Sequence, residues 1–148
     1  MNKKLFIRCD FSEHIGFGHL KRMLVLAKCF KNLNYDIKIF YKETKLSRDI
    51  FNLNFSSCFN SIVYEEEFIN NLIIENPDVC ILDLHSQDRY KFILKKFTKK
   101  LNNIKLICFD YSKEIEKLSY LCVVPFPYMK NISTKVLNGF NYQIFSED

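Results

Sequence analysis

The stretch Ile-Gly-Phe-Gly-His-Leu-Lys-Arg, residues 15–22, joins a short apolar run at residues 5–9 to a segment with helical periodicity. The apolar residues of that segment fall at spacings of three and four: Leu20, Met23, Leu24, Ala27 and Phe30. This spacing predicts an amphipathic helix. Two of the three glycines of the chain, Gly16 and Gly18, stand in the stretch itself. Because glycine lacks a Cβ, the backbone can turn sharply there and approach a ligand closely. The sequence therefore predicts a strand, a glycine turn and a helix in succession.

The same alternation continues along the chain. Further apolar runs predict strands at residues 36–41, 61–64, 79–84, 104–109 and 121–124. Helical patterns lie between several of them, weakly around residues 46–53 and more clearly at 68–75 and 87–102. The run at 79–84 is apolar apart from Asp83, which is typical of a strand covered on both faces. The alternation predicts an α/β fold, a Rossmann-like parallel sheet with helices on both faces.

A length of 148 residues fits one domain with a substantial core. The pattern weakens after Pro125, and no closing element is predicted before Asp148. We expect residues 1–128 to form the Rossmann-like domain. We expect residues 129–148 to lead toward a C-terminal nucleotide-binding domain that is absent from the chain.

Composition excludes several classes of protein. The net charge is +5, but 18 of the 22 basic residues are lysines beside abundant Asn, Ile and Phe, so we expect no nucleic-acid partner. No apolar stretch approaches the roughly 18 residues of a membrane span, and residues 5–7 are too short for a signal-peptide core. Six cysteines without a Cys-x-x-Cys pair or a histidine at metal-ligand spacing argue against a disulfide framework and for a reducing cytoplasm. Four of them lie in or at the ends of apolar runs and are predicted to be small buried side chains: Cys9, Cys80, Cys108 and Cys122. We expect neither a metal nor a cofactor.

Ligands of open parallel sheets bind outside the carboxyl ends of the strands. That rule selects the glycine turn, Asp83 with His85, Asp110 with Tyr111, and Tyr41. The helix after the turn begins with free N–H groups and a partial positive charge, which favours an anionic or strongly polar ligand. His19, at the start of that helix, either acts as a general base or hydrogen-bond partner, or simply caps or packs.

Three aspartates fall at predicted strand ends on one edge of the sheet: Asp10, Asp83 and Asp110. Paired carboxylates would suit acid/base chemistry or a divalent metal. The alternative is that they cap the next helix or fix loop backbone. The glycine turn matches neither the dinucleotide fingerprint, since the third glycine is missing, nor a P-loop, since no Gly-Lys-Ser/Thr occurs.

Residues 8–10 (Arg-Cys-Asp), 15–22 and 26–28 (Leu-Ala-Lys) closely resemble the start of the UDP-sugar hydrolases of pseudaminic acid biosynthesis. These are the PseG/SpsG-type enzymes, which are relatives of the MurG-like glycosyltransferases. Looser similarity extends over nearly the whole chain. Residues 79–85 are similar to a family strand ending in Asp-His-Tyr, residues 106–110 to one ending in Asp-Asp, and residues 138–142 to a Gly-x-x-Tyr segment before the second domain.

The resemblance implies the N-terminal half of a GT-B fold, in which two Rossmann-like domains face a cleft. It implies hydrolysis of UDP-2,4-diacetamido-2,4,6-trideoxy-β-L-altropyranose to the free sugar and UDP, by water attack at the anomeric carbon and without a metal. His19 is then the catalytic residue that activates or orients the water. The candidate substrate-binding residues are Asp10, Gly16, Phe17, Gly18, Arg22, Asp83, His85 and Asp110.

Two departures from the family pattern leave alternatives open. Here the strand ends in Asp83-Leu84-His85, so the histidine is shifted by one and the tyrosine is absent. The family's UDP site also lies mainly in the C-terminal domain. The partners we expect are the UDP-sugar and either a separate C-terminal half or a second copy of the chain. The alternatives are a GT-B glycosyltransferase half, or a non-catalytic remnant or assembly domain.

Overall fold

The computed structural model describes residues 2–42, 58–101, 103–125 and 133–144. Within them, seven strands form one parallel sheet in the order β3-β2-β1-β4-β5-β6-β7. The strands are β1 (Lys3–Cys9), β2 (Tyr35–Lys42), β3 (Phe59–Ile62), β4 (Val79–Asp83), β5 (Lys105–Cys108), β6 (Leu121–Val124) and β7 (Val136–Asn138). The helices are α1 (Gly18–Asn32), α2 (Glu65–Glu75), α3 (Gln87–Lys100) and α4 (Lys113–Leu118), followed by a 3-10 turn at Phe140–Tyr142. The predicted α/β, Rossmann-like fold is confirmed.

The sheet order reverses between β1 and β4. From β1 the chain proceeds outward to β2 and β3, and it then returns to β4 on the other side of β1. The two central strands end level, with Cys9 paired to Asp83, and the N–H of Asp10 donates to the Asp83 carbonyl at 3.1 Å. In open α/β sheets such a reversal is where a ligand-binding crevice forms.

Helices cover both faces of the sheet, as predicted. On one face, side chains such as Phe6, Phe40 and Leu82 pack beneath α2, α3 and α4. On the other face, Ile7 and Ile81 pack with the buried stripe of α1. Burying each such side chain contributes about 1.5–3 kcal/mol to the free energy of folding. The edge where β1 and β4 end is therefore supported by packed core on both faces of the sheet.

Several boundaries differ from the sequence prediction. The third strand lies two residues earlier than expected, and α2 begins at Glu65 instead of residue 68. The Glu67 side chain accepts the N–H of Tyr64 at 2.9 Å, and three glutamates occupy the first turn of α2, so the helix start is stabilised earlier than its apolar periodicity indicates. The predicted helix around residues 46–53 lies outside the described residues.

Two short elements were not predicted. Helix α4 has six residues and buries Ile115, and β7 has three residues that pair with β6. Strand β7 thus lies in the sheet although it belongs to residues 129–148, which we expected to lead toward a second domain. The boundary at residue 128 stays a prediction.

The cysteines of the sheet match the prediction. Cys9, Cys80, Cys108 and Cys122 are free and buried. Burial raises the pKa of the Cys80 and Cys108 thiols, so they remain protonated and behave as small apolar side chains. None of the helices in the described part of the chain is long and apolar enough to cross a bilayer.

Candidate functional site

The chain between β1 and α1 folds into the predicted glycine turn. Ser12 and Gly16 form an isolated bridge, in which the Gly16 N–H donates to the Ser12 carbonyl at 2.8 Å. The Ser12 hydroxyl also accepts the N–H of Ile15 at 3.1 Å. Gly16 has a φ of +80°, in the left-handed region that glycine adopts without steric cost. This turn delivers the first residues of α1 to the carboxyl ends of β1 and β4.

His19, the second residue of α1, pairs with the aspartate that ends β4. Its Nδ1 lies 2.7 Å from Oδ1 of Asp83, whose side chain is fully buried. Nδ1 is also 3.0 Å from Nη2 of Arg22, but that nitrogen donates to the same aspartate oxygen at 2.6 Å. An unprotonated Nδ1 would place its lone pair against the carboxylate, so we assign the proton to Nδ1. Nε2 is then the free acceptor of the ring.

Arg22, one helical turn after His19, holds the same carboxylate with both prongs of its guanidinium. Nε binds Oδ2 of Asp83 at 2.6 Å while Nη2 binds Oδ1, and the guanidinium lies 5.5 Å from the centre of the Phe109 ring. Burial lowers the pKa of Arg22, but the hydrogen bonds and the charge of Asp83 more than offset this and leave the pKa above its ordinary value. A permanent cation therefore keeps Asp83 in place as an anion facing His19.

Asp10 forms a second ionic group at the same edge. Its Oδ1 is 2.7 Å from Nη1 of Arg89 and 3.1 Å from Nη2 of Arg8. Its Oδ2 accepts the backbone N–H of His85 at 3.1 Å. Asp10 is buried, and its hydrogen bond to His85 holds the loop between β4 and α3 in place. Fixing loop backbone was one of the two alternatives to a catalytic or metal-binding role for the strand-end aspartates.

Arg8 extends this group toward α2. Its side chain is fully buried and forms two bonds with Glu65, from Nε to Oε2 at 3.0 Å and from Nη2 to Oε1 at 2.7 Å. Burial lowers the pKa of Arg8, but hydrogen bonding to Glu65 and the nearby negative charge outweigh it and the pKa is raised. The end of β1 and the starts of α2 and α3 are thus joined by ion pairs. Asp83 at the end of β4 pairs instead with Arg22 of α1.

The remaining candidates lie around this centre. The exposed His85 has its ring 6.3 Å from that of His19, centroid to centroid, at an angle of 88°. Phe17 flanks the turn beside Phe11, with ring centres 6.5 Å apart. Asp110 lies one strand further along the edge, where it accepts the N–H of Tyr111 at 2.6 Å and a hydrogen bond from Gln87. Burial raises the pKa of Asp110, and these hydrogen bonds offset part of that effect.

The structure therefore gathers His19, Arg22 and Asp83 directly, with Asp10 and His85 beside them. Tyr41 lies within β2, where its ring stacks on Phe11 at 5.3 Å, and is buried. Gly18 opens α1, and a Cβ built there meets nothing within 4 Å. The helix start receives no side-chain hydrogen bond from its N-cap residue and has no acidic residue in its first turn.

Sequence reasoning missed Arg8, Arg89 and Glu65. A signal for two of them was present, because the chain uses only four arginines among 22 basic residues. Three of those four lie at this edge, each bound to a carboxylate. Arginine is not interchangeable with lysine where a planar fork must bind a carboxylate, so arginines that occur in a lysine-rich chain point to such contacts.

Arginines bind three carboxylates of this edge, those of Asp10, Glu65 and Asp83. In the part of the chain that the structure describes, no three His, Cys, Asp or Glu side chains are arranged to hold a metal ion.

Comparisons of the chain with protein-family models and with curated proteins found no match.

Proposed function

We propose that the chain provides the water-activating half of a nucleotide-sugar hydrolase site, with His19 as the general base. The observation that carries the proposal is the 2.7 Å contact between His19 Nδ1 and the fully buried Asp83. It leaves Nε2 free to accept a proton, and the carboxylate stabilises the imidazolium that results. A histidine oriented in this way by a buried carboxylate is a recurring arrangement of general bases.

In the proposed reaction Nε2 of His19 takes a proton from water while the water oxygen bonds to the anomeric carbon. The bond between that carbon and the diphosphate oxygen breaks, and the nucleoside diphosphate departs with the electron pair. The uncapped start of α1 beside His19 favours an anionic group, since neither a side-chain cap nor an acidic first-turn residue neutralises it. This supports a diphosphate-containing substrate.

The finer identity of the substrate comes from the resemblance of residues 8–28. On that basis we propose a UDP-activated 2,4-diacetamido-2,4,6-trideoxy sugar, hydrolysed in the synthesis of pseudaminic acid. A nucleotide-binding half, supplied separately or joined to the chain, is the proposed partner. We place the reaction in the cytoplasm, because buried free cysteines suit a reducing compartment.

The test is the release of UDP and free sugar by the chain, alone and with a nucleotide-binding half joined to it. In the active form His19→Gln is expected to lower kcat by about 10²–10⁴-fold, the usual contribution of a general base. The matched control is His14→Gln, since His14 is exposed in the same turn and should leave the rate unchanged. Full activity of the His19→Ala protein would disprove the role of His19, and formation of a new glycosidic bond would identify a transferase instead.

A further inference from the structure

Two imidazoles face each other at the edge where β1 and β4 end, and they differ in their partners. The rings of His19 and His85 are perpendicular, with centroids 6.3 Å apart. His19 is half-buried and paired with Asp83. His85 is exposed, and among the described residues its ring receives no hydrogen bond from a side chain. Both imidazoles therefore lie at the same edge of the sheet, close enough to contact one ligand.

The backbone at His85 is fixed by hydrogen bonds to two buried side chains, although the residue itself is exposed. Its N–H donates to Oδ2 of Asp10, whose other oxygen is bound by Arg89 and Arg8. The preceding N–H, that of Leu84, donates to the buried Tyr90 hydroxyl at 3.1 Å. An exposed imidazole on an anchored backbone is suited to meeting a ligand in a fixed geometry.

We propose that His85 is a second catalytic residue, the general acid, and that Asp10 is the positioning residue that aims it. The inference rests on the proposed function. As His19 takes the proton of the attacking water, the His85 imidazolium gives its proton to the oxygen that leaves the anomeric carbon. One C–O bond forms and one breaks, one water is consumed, and both histidines return to their starting forms by exchange with solvent.

The asymmetry of partners assigns the two roles. Asp83 stabilises the imidazolium form of His19, which is what a base becomes. Among the described residues no carboxylate binds the ring of His85, so its ring nitrogens are left to donate to a ligand oxygen. Asp10, Arg8 and Arg89 lie around its loop and act on the backbone and on one another. The charged groups opposite its ring are Asp83 and Arg22, which both contact His19.

The kinetic test uses the active protein and the pH dependence of kcat. The wild type is expected to lose activity at low pH, where the base is protonated, and at high pH, where the acid is deprotonated. His85→Gln should lower kcat about 10²-fold and abolish the decline at high pH. Asp10→Asn should lower kcat and keep that decline, and His14→Gln should match the wild type. A His85→Gln protein with the wild-type rate and profile would overturn the inference.

A second measurement separates this inference from the proposed function. The imidazole signals of the three histidines are followed by NMR while UDP is added to the same protein. Signals of both His19 and His85 should move, that of His14 should not, and Asp10→Asn should displace the His85 signal selectively. A response of His19 without His85 would refute only the second role. If neither signal responds and no sugar is released, the proposed function itself is wrong.

Discussion

At the scale of single residues, His19 shows how a distant partner decides the chemistry of a side chain. The sequence allowed a general base or a capping histidine, because both occur at helix starts. Our proposal that His19 is a general base depends on Asp83, which is 64 positions away and meets the ring only after β1 and β4 pair in register. The carboxylate fixes which nitrogen carries the proton, and that leaves Nε2 as the acceptor.

The two glycines of the turn should respond differently to alanine. Gly16 has a φ of +80°, so Gly16→Ala is expected to reduce the free energy of unfolding by about 1–2 kcal/mol. Gly18 lies in α1, where a Cβ meets no atom within 4 Å, so Gly18→Ala should leave stability unchanged or slightly raised. Urea unfolding of the two variants measures both effects.

For substrate binding we expect the opposite order, with Gly18→Ala more harmful than Gly16→Ala. If a nucleotide sugar approaches the amides at the start of α1, a methyl group at Gly18 lies between them and the ligand. Gly18→Ala should therefore raise KM in a protein of normal stability. Equal losses of stability in both variants would contradict the explanation from backbone conformation.

At the scale of elements, the sequence predicted the strands and helices whose apolar residues recur at a regular spacing. Strand β4 is buried along its whole length and appears as a continuous apolar run, and α3 shows a clear apolar stripe. Helix α4 escaped prediction because six residues provide too little periodicity, with Ile115 its one buried residue, and β7 is only three residues long. Neither carries enough apolar residues to produce a recognisable pattern.

The candidate site divides in the same way. Asp10, His19 and Asp83 could be predicted because strand ends and helix starts meet at one edge of a parallel sheet. Glu65 and Arg89 could not, since their partners lie 57 and 79 positions away and depend on how α2 and α3 pack. Pairing over such distances leaves no periodic trace in a single sequence.

The Tyr90 hydroxyl links α3 to the end of β4. It donates to the Leu82 carbonyl and accepts the Leu84 N–H, both at 3.1 Å, and the side chain is fully buried. Tyr90→Phe leaves the Leu84 N–H without a partner and removes one of two bonds to the Leu82 carbonyl, which keeps the Phe109 N–H at 2.8 Å. We expect a loss of about 1–3 kcal/mol in the free energy of unfolding. Urea unfolding measures the loss, and faster hydrogen exchange of the Leu84 amide locates it.

The control for this variant is Tyr111→Phe. The Tyr111 hydroxyl donates to Glu116 at 3.1 Å at a half-buried position, where water can replace the lost bond. This variant should lose much less stability than Tyr90→Phe. Similar losses in both would show that the Tyr90 bonds have no special part in holding β4.

At the scale of the whole molecule, charge is sorted by residue type. Lysines supply most of the positive charge, whereas the arginines Arg8, Arg22 and Arg89 converge on carboxylates where the sheet order reverses. Ion pairs joining separate elements are a means of specifying how those elements meet, at the cost of desolvating the charges. The edge that forms the candidate site is thus also where ion pairs connect five elements, β1, β4, α1, α2 and α3.

This arrangement predicts strong coupling between Arg8 and Glu65. Arg8→Met leaves Glu65 buried without its main partner, so we expect it to cost about 3–5 kcal/mol of stability. Combining it with Glu65→Leu removes both charges and should recover most of that loss, because paired buried charges are often replaceable by apolar residues. The partly exposed pair Lys38–Glu75, with nitrogen and oxygen 2.6 Å apart, is the control, and Lys38→Met should cost at most about 1 kcal/mol. Chemical unfolding of the variants gives the coupling energy, and a double variant whose loss equals the sum of its parts would show that Arg8 and Glu65 do not act as a unit.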